Sequence, residues 1–351
     1  MALEPVPPPP ALDRIGFELG WDYAHHGVEP AAPYAQEASP LRDGLRAGRA
    51  TFGGRTLAAT RHVQRWLLLR LSAWLRGRSV ELVQVTPNYL AQIEVGHCPI
   101  TREPLAHDAS AAGREASIDR VRNDAGYAAG NLAVMGTRAN QAKASHGHRA
   151  ALHLAWRAET EGRVDGLDAA EWTRVALLCS FVEALPHEAA CALPLRVLPP
   201  NRLRLFNPAQ ALQAFLSRQL LVPGWSLRQR RIAGLVASRT ARRALFEFFA
   251  ALLPRVIEAG RDLPPQAARW ALEDAWRDAL VQRRWTAFAG PLGAAGCEAL
   301  LARAAARGLG AQAMLRHGDT AATEGWALES RGYVTDAVAA PRVSVQACLP
   351  L

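Results

Sequence analysis

The residues best suited to chemistry lie close together between positions 97 and 146. Acidic and amide side chains offer oxygen ligands there, and the arginines between them can hold phosphate groups. The first part of this segment reads Ser117-Ile118-Asp119-Arg120-Val121-Arg122-Asn123-Asp124-Ala125-Gly126-Tyr127. The second part reads Gly130-Asn131-Leu132-Ala133-Val134-Met135-Gly136-Thr137-Arg138-Ala139-Asn140-Gln141-Ala142-Lys143. Lys143 is the single lysine among 41 basic residues, which makes its place in this segment unusual.

The pattern of apolar residues around these side chains predicts the order strand, loop, strand, helix. Residues 116–121 predict a short strand, and residues 123–130, with two glycines, are typical of a turn-rich loop. Residues 132–135 predict a second strand. Thr137 is a suitable N-cap for a helix that runs to about residue 144. A β-hairpin and the helix after it would therefore carry the polar side chains.

Residues 96–146 resemble the HNH (ββα-metal) endonuclease superfamily. The resemblance is closest to the branch whose motif reads Ser-x-Asp-Arg-hydrophobic, then Gly-Tyr, Gly-Asn and Asn-x-x-Lys. Five separate elements match this motif in order and spacing. The resemblance implies a ββα-metal module. It also implies a metal-dependent endonuclease or nickase that hydrolyses phosphodiester bonds, with DNA as the expected partner.

In that superfamily, one divalent metal is held by an aspartate at the end of the first strand and by an asparagine or histidine on the helix. The resemblance places these ligands at Asp119 and Asn140, and it places the asparagine that tethers the loop at Asn131. Oxygen ligands favour a hard cation, so we expect Mg²⁺ or Mn²⁺. Such a cation, with open positions for water and phosphate, can polarise a phosphodiester and stabilise the leaving oxygen.

Arg120 occupies the position where many members of the superfamily have the histidine that activates the attacking water. Arginine stays protonated at working pH and cannot act as a general base, but it can clamp the scissile phosphate. The Asp-Arg form is common in this branch. The general base is left open among His97, His107 and His146, with His107 preferred because it lies just before the first strand. The expected catalytic residues are therefore Asp119, Arg120 and His107.

The segment His97-Cys98-Pro99-Ile100-Thr101 resembles the knuckle that often precedes the ββα core. Families that bind zinc at this knuckle use two Cys-x-x-Cys pairs, whereas this segment contains only Cys98. The chain has five scattered cysteines, which argues against a structural zinc and against a disulfide framework. Cys98 is therefore expected to be a small buried residue, and Tyr127 is expected to pack beneath the loop.

The chain is strongly basic, with a net charge of +9 and a pI near 10. Residues 41–78 contain nine arginines against one acid, Asp43, and a second acid-free arginine cluster lies within residues 228–243. Such clusters are typical of a polyanionic partner, but solvated helix faces explain them equally well. The residues expected to contact nucleic acid are Arg61, Arg65, Arg120, Arg122, Arg138 and Lys143.

Helical periodicity outside the module predicts a mainly α fold with a small α+β insert, in which an HNH-like module is embedded in a helical protein. The expected regions are a Pro-rich arm (1–10), a helical N-terminal region with a basic helix (11–95), the module (96–150) and a helical C-terminal domain of unknown role (151–351). Within the second region, residues 11–55 are expected to form loops and short helices, and a helix is expected over 56–76. A short helix is also expected to start at Thr86 as N-cap, with Pro87 in its first turn, and to run to about Glu94. Further helices are expected at 168–184, 207–221, 226–258, 264–282 and 294–307. Trp172, Trp270, Trp276 and Trp285 are expected to fill the helical core, and the end of the chain has no predicted element.

Two other functions are open. The first is a catalytically inactive nucleic-acid-binding or regulatory protein on the same scaffold, because the general base is not identified. The second is a helix-turn-helix transcription factor that reads DNA with residues 226–243. No stretch reaches the roughly 18 apolar residues that span a bilayer, so no membrane partner is expected. The N-terminus lacks the basic-then-apolar order of a signal peptide, so we expect a cytoplasmic protein.

Overall fold

A computed structural model describes residues 11–36, 38–106, 113–222, 224–260, 264–310 and 322–335. The chain forms two compact units, each assembled from non-contiguous segments. The first unit consists of residues 1–96, 104–137 and 323–351, and the second consists of residues 97–103 and 138–322. The regions expected from the sequence are continuous segments, whereas each unit combines separate segments, so the boundaries of the two differ.

The first unit combines helices with one β-hairpin in its described residues. These elements are α1 (Ala11–His25), α2 (Ala32–Gln36), α3 (Pro40–Phe52), α4 (Arg61–Leu75), α5 (Pro87–Ile93), β1 (Ala116–Arg120) and β2 (Leu132–Gly136). The prediction of loops and short helices for residues 11–55 was wrong for α1 and α3, which contain 15 and 13 residues. The prediction failed because both segments contain glycines, which have a low helix propensity.

Glycines form the contact between α1 and α3. A Cβ added to Gly20 would lie 1.9 Å from the carbonyl oxygen of Leu41, and one added to Gly44 would lie 1.9 Å from that of Phe17. The two helix backbones therefore touch, which only residues without a side chain permit. Gly48, four residues after Gly44, continues the same face, and an added Cβ there would also meet α1.

Threonine side chains cap the starts of α4 and α5. Thr60 Oγ1 accepts the N–H of Val63 at 3.3 Å, and Thr86 Oγ1 accepts the N–H of Tyr89 at 3.2 Å. The cap at Thr86 is the one predicted, whereas α4 begins later than its predicted start at residue 56. The core of these helices consists of Leu19, Tyr23, Ala24, Leu41, Leu45, Val63, Leu67 and Leu71.

The β-hairpin is an antiparallel pair in which Ala116 lies opposite Gly136 and Arg120 lies opposite Leu132. Every residue of β2 is buried, so the hairpin belongs to the core of the first unit. Helix α6 (Thr137–Lys143) begins directly after β2. The prediction of a mainly helical protein with one small hairpin is confirmed, since this is the only sheet within the described ranges.

Helices are the main regular elements of the second unit in its described residues. Apart from α6, its helices are α7 (His148–Glu161), α8 (Ala169–Ser180), α9 (His187–Ala192), α10 (Pro208–Leu220), α11 (Trp225–Gly234), α12 (Arg239–Gly260), α13 (Pro265–Ala275), α14 (Ala279–Ala289) and α15 (Gly293–Ala306). The continuous helices predicted for 226–258 and 264–282 were wrong, because each contains a break. Ser238 caps α12 through the N–H of Ala241, and Asp278 caps α14. A single reading helix over 226–243 is therefore excluded.

Aromatic rings fill the interior of the second unit. The rings of Trp276 and Trp285 meet edge-to-face at 5.6 Å, and Phe248 contacts them at 5.4 and 5.5 Å. The prediction that tryptophans fill the helical core is confirmed for Trp172, Trp276 and Trp285, which are fully buried, whereas Trp270 is only half-buried. Among the helices of the described segments, none has the length and apolar character needed to cross a membrane.

Candidate metal and nucleic-acid site

Asp119 lies near the end of β1, opposite Ala133 of β2. The strand ladder fixes the direction of its side chain, which is 5% exposed. Burial of an ionised carboxylate is costly unless the group is paired, hydrogen-bonded or bound to a cation. The location of Asp119 is therefore suited to a rigid oxygen ligand.

Asn131 closes the loop between the two strands. Its Oδ1 accepts the N–H of Arg122 at 2.8 Å, while its Nδ2 donates to the carbonyl oxygens of Arg122 at 3.0 Å and Gly126 at 3.2 Å. The backbone of Asn131 also accepts the N–H of Val121 at 2.8 Å. The fully buried amide thus satisfies loop groups that would otherwise lack partners in the interior.

Arg120 is bound to the same loop. Its Nη1 donates to the carbonyl oxygens of Asn123 at 3.0 Å and Ala125 at 2.8 Å, and its guanidinium lies 5.2 Å from the ring centre of Tyr127. Tyr127 is buried beneath the loop, as predicted, and its hydroxyl accepts a hydrogen bond from Arg76 at 3.0 Å. Arg120 therefore positions the loop, a role that its sequence position did not indicate.

Positive charge is concentrated beside this loop. Arg78 lies over the ring of Tyr333, with 3.7 Å between the guanidinium carbon and the ring centre. Burial lowers the pKa of Arg78, and the charges of Arg120 and Arg76 lower it further. Three guanidinium groups thus lie close enough to interact, which would attract a phosphate group.

The C-terminal part of the described chain returns to the loop. The buried indole of Trp326 donates to the carbonyl oxygen of Ala129 at 3.1 Å, and the N–H of Gly126 donates to the Trp326 carbonyl at 2.7 Å. Gly332 has a φ of +74°, and a Cβ added there would lie 2.3 Å from the Ala125 carbonyl oxygen. Sequence reasoning missed this segment, and its only signals were single Trp and Gly residues without a repeating pattern.

Arg61 and Arg65, which we expected to contact nucleic acid, share the carboxylate of Glu94. Their guanidinium nitrogens lie 2.5 and 2.6 Å from its oxygens, and His62 Nε2 lies 3.2 Å away. Burial raises the pKa of Glu94, but the hydrogen bond from His62 and the charges of Arg65 and Arg61 outweigh it and hold the pKa below its ordinary value. These arginines stabilise the first unit, and their contact with nucleic acid stays a prediction.

Of three further residues expected to contact nucleic acid, two form ion pairs within the protein and one is buried. Arg122 forms a two-pronged ion pair with Asp124 at 2.8 and 2.9 Å. Arg138 lies between two carboxylates, at 3.1 and 3.2 Å. Lys143 is fully buried on α6. An ammonium group without exposed surface cannot reach a phosphate from solvent, so the assignment of Lys143 to nucleic-acid binding does not fit the structure.

Asn140 and two of the candidate histidines belong to the second unit. Asn140 is half-buried on α6. The ring of His97 meets Trp270 edge-to-face at 5.3 Å, and the ring of His146 meets a buried tryptophan in the same way at 5.9 Å. His107 lies outside the described residues. The two described histidines pack as aromatic rings, and the identity of the general base stays a prediction.

The predicted knuckle forms a tight turn. The N–H of Cys98 donates to the Glu103 carbonyl at 2.9 Å, and the N–H of Arg102 donates to the Cys98 carbonyl at 2.9 Å. The sulfur of Cys98 accepts the N–H of Thr101 at 3.4 Å. Cys98 is buried, as expected for a structural cysteine.

A second cysteine lies beside a histidine without forming a catalytic pair. Cys191 Sγ is 3.4 Å from His187 Nε2, and the same nitrogen lies 3.0 Å from the Ala289 carbonyl oxygen. Burial raises the pKa of the Cys191 thiol to about 11. The thiol therefore stays protonated at neutral pH, whereas a nucleophilic cysteine must be a thiolate.

The two residues expected to bind a metal, Asp119 and Asn140, both offer oxygen donors. Such donors suit Mg²⁺ or Mn²⁺ better than Zn²⁺, which prefers sulfur and nitrogen. The described residues contain no group of three or more His, Cys, Asp or Glu side chains arranged to hold a metal.

No family model, no curated protein and no solved structure matches this chain.

Proposed function

We propose that this protein is a metal-dependent endonuclease or nickase that hydrolyses phosphodiester bonds in DNA, built on an HNH-like ββα module. The observation that supports this best is the hairpin whose loop is closed by Asn131. Asp119 lies on its first strand, and the helix with Asn140 follows its second strand directly. The sequence resemblance requires this order of elements and these residue positions.

The proposed site uses Asp119 and Asn140 to hold one divalent cation, Mg²⁺ or Mn²⁺. When bound, this cation polarises the phosphodiester and stabilises the leaving oxygen. Asp119 supplies a negative charge, and the pairing of β1 with β2 sets the direction of its side chain. The Arg120 guanidinium, held by two loop carbonyls, lies near the substrate phosphate, and an arginine side chain cannot act as the general base.

Nicking of supercoiled plasmid, with and without Mg²⁺ or Mn²⁺, tests this proposal. We expect metal-dependent nicking by the wild-type chain and a loss of at least about 10²-fold in Asp119→Asn, which removes a charge without changing the size of the side chain. Asp165→Asn, at an exposed turn outside the hairpin, is the matched control and should nick like the wild type. Wild-type activity in Asp119→Asn would refute the proposed site.

The same assay addresses the general base. Wild-type nicking activity should rise through about pH 6–7. When His97, His107 and His146 are substituted one at a time, one of the three variants should lose this activity. Arg120→Ala should lower the rate while leaving this pH dependence in place, because a guanidinium group cannot act as the general base. A pH profile that no histidine variant changes would reject the histidine-base hypothesis.

A catalytically inactive nucleic-acid-binding or regulatory protein on the same scaffold is the second candidate. It is favoured by the engagement of Arg120 with the loop carbonyls of Asn123 and Ala125. This candidate predicts DNA binding whose affinity falls with added salt, because phosphate contacts dominate such affinity, but no nicking with either metal.

A further inference from the structure

A group of arginines in the second unit surrounds the carboxylates of Glu273 and Asp274 on α13. We call it the arginine cluster, and its members are Arg102, Arg174, Arg196, Arg218, Arg269 and Arg277. Arg102 binds Asp274 through two nitrogens, at 2.7 and 2.9 Å, and Arg269 binds Glu273 at 3.1 Å. Two carboxylates are too few to neutralise these guanidinium groups, so the region has an excess of positive charge.

Arg196 carries a buried charge without an ion-pair partner among the described residues. Its side chain is 9% exposed, its buried Nε lacks a hydrogen-bond partner, and no described carboxylate forms an ion pair with it. The Nε atoms of Arg102, Arg174 and Arg218 are also buried without a partner. A charged donor left unsatisfied in the interior is costly.

Backbone carbonyl groups satisfy other nitrogens of the cluster without cancelling its charge. Arg174 donates to the Ile100 carbonyl at 2.6 Å, and Arg218 donates to the Pro199 carbonyl at 2.8 Å. Burial, followed by the charges of neighbouring arginines, lowers the pKa of Arg196 to about 10. This value lies well above 7, so Arg196 keeps its charge at neutral pH.

Arg277 connects the cluster with solvent. It follows α13, its backbone N–H donates to the Asp274 carbonyl at 2.9 Å, and its side chain is exposed. The segment that carries Arg196 lies against the same helix, because the N–H of Leu198 donates to Glu273 Oε1 at 2.9 Å, and the charge of Arg277 acts on Arg196. Guanidinium groups bind oxyanions through paired hydrogen bonds, and a phosphate group offers several acceptor oxygens together with negative charge.

We infer that the arginine cluster binds an anion of the phosphate class, with Arg196 and Arg277 as its main ligands. The oxyanion belongs to free phosphate or to the backbone of a nucleic acid, and both present the same chemistry to the guanidinium groups. The inference is independent of the proposed nuclease, because the cluster contains neither Asp119 nor Asn140.

Calorimetric titration of the full chain with inorganic phosphate, at constant ionic strength in chloride, tests the inference. We expect saturable binding that weakens at least about tenfold in Arg196→Gln and in Arg277→Gln, since each substitution removes a charge-assisted contact. Arg303→Gln, at an exposed position on α15, is the control and should bind phosphate like the wild type. Asp119→Asn should also retain phosphate binding, whatever its nicking activity.

A second titration with a short DNA duplex separates the two sources of the anion. Binding of duplex DNA but not of phosphate, weakened by the same two substitutions, assigns the anion to a nucleic-acid strand. Arg277→Gln keeps the test decisive if Arg196→Gln fails to fold, because Arg277 is exposed. The inference is overturned if neither probe binds, or if Arg277→Gln and Arg303→Gln bind both probes equally well.

Discussion

At the scale of single residues, many arginines of this basic chain bind groups within the protein itself. Arg61 and Arg65 share Glu94, and Arg70 binds Asp22. The sequence shows an acidic stretch before residue 41 and a basic stretch after it, and the fold brings part of the two together. A count of charges along the chain therefore overstates the charge available for a partner.

The Glu94 network predicts a measurable effect of pH. Because its pKa in the folded state lies below the ordinary value of 4.5, its contribution to stability is complete above that value and is lost as the pH falls through the folded pKa. Glu94→Gln should lower the free energy of unfolding at pH 7 by about 2–4 kcal/mol, because it removes the carboxylate that pairs with the partly buried Arg65. The difference from the wild type should shrink as the pH falls below 4.5.

Urea unfolding between pH 3 and 7 measures this difference. Glu161→Gln is the control, because Glu161 forms an exposed ion pair with Arg157 within one helix and should change stability by less than about 0.5 kcal/mol. A constant difference between Glu94→Gln and the wild type across this pH range would contradict the assignment.

At the scale of elements, the α1–α3 contact shows how a helix pair can depend on residues that lower helix propensity. Gly20 and Gly44 reduce the propensity of each helix by about 1 kcal/mol relative to alanine. They also let the backbones approach to a distance that side chains would forbid. The packing outweighs the propensity, so local statistics point the wrong way here.

Substitution of Gly20 tests this contact. Gly20→Ala should lower the free energy of unfolding by at least about 2 kcal/mol, because the new methyl group would overlap the Leu41 carbonyl oxygen and push the helices apart. Gly234→Ala is the matched control, since Gly234 ends helix α11 with open space around it. The control should leave stability unchanged or raise it by up to about 1 kcal/mol. Equal stabilities for the two variants in urea unfolding would exclude direct backbone contact.

At the scale of the whole molecule, the first unit depends on segments from distant parts of the chain. Residues near the C-terminus hold the loop that follows β1 through Trp326 and Gly332. The loop is therefore held by hydrogen bonds from its own Asn131 and by contacts with Trp326, which lies 197 residues after Ala129 in the sequence. Both attachments restrict the segment between Asp119 and β2.

Removal of the Trp326 side chain should destabilise the first unit by about 3–5 kcal/mol, because a fully buried indole leaves a large cavity and an unsatisfied carbonyl at Ala129. Hydrogen exchange of the amides in residues 121–131 should accelerate in Trp326→Ala. Trp156→Ala, at a side chain that is 66% exposed, is the control and should leave this exchange unchanged. Protection equal to that of the wild type in Trp326→Ala would show that the segment does not support the loop.

The sequence by itself determined the features that short segments encode. The hairpin followed from two short apolar runs around a glycine-containing loop, and α5 followed from Thr86 and Pro87. The inward position of Asn131 could be predicted from its place in the motif. The hairpin and α5 depend on neighbours within a few residues, so periodicity and capping preferences apply directly, whereas the role of Asn131 was implied by the family resemblance.

Only the tertiary structure decided which side chains meet across long separations. It buried Lys143, paired Arg65 with Glu94, joined α1 to α3 through glycines and brought Trp326 to the loop. Contacts between distant residues produce no periodic pattern in the sequence, because they depend on how whole elements pack. The structure therefore describes the loop and its supports, while the metal-binding role of Asp119 and Asn140 stays a prediction that plasmid nicking will test.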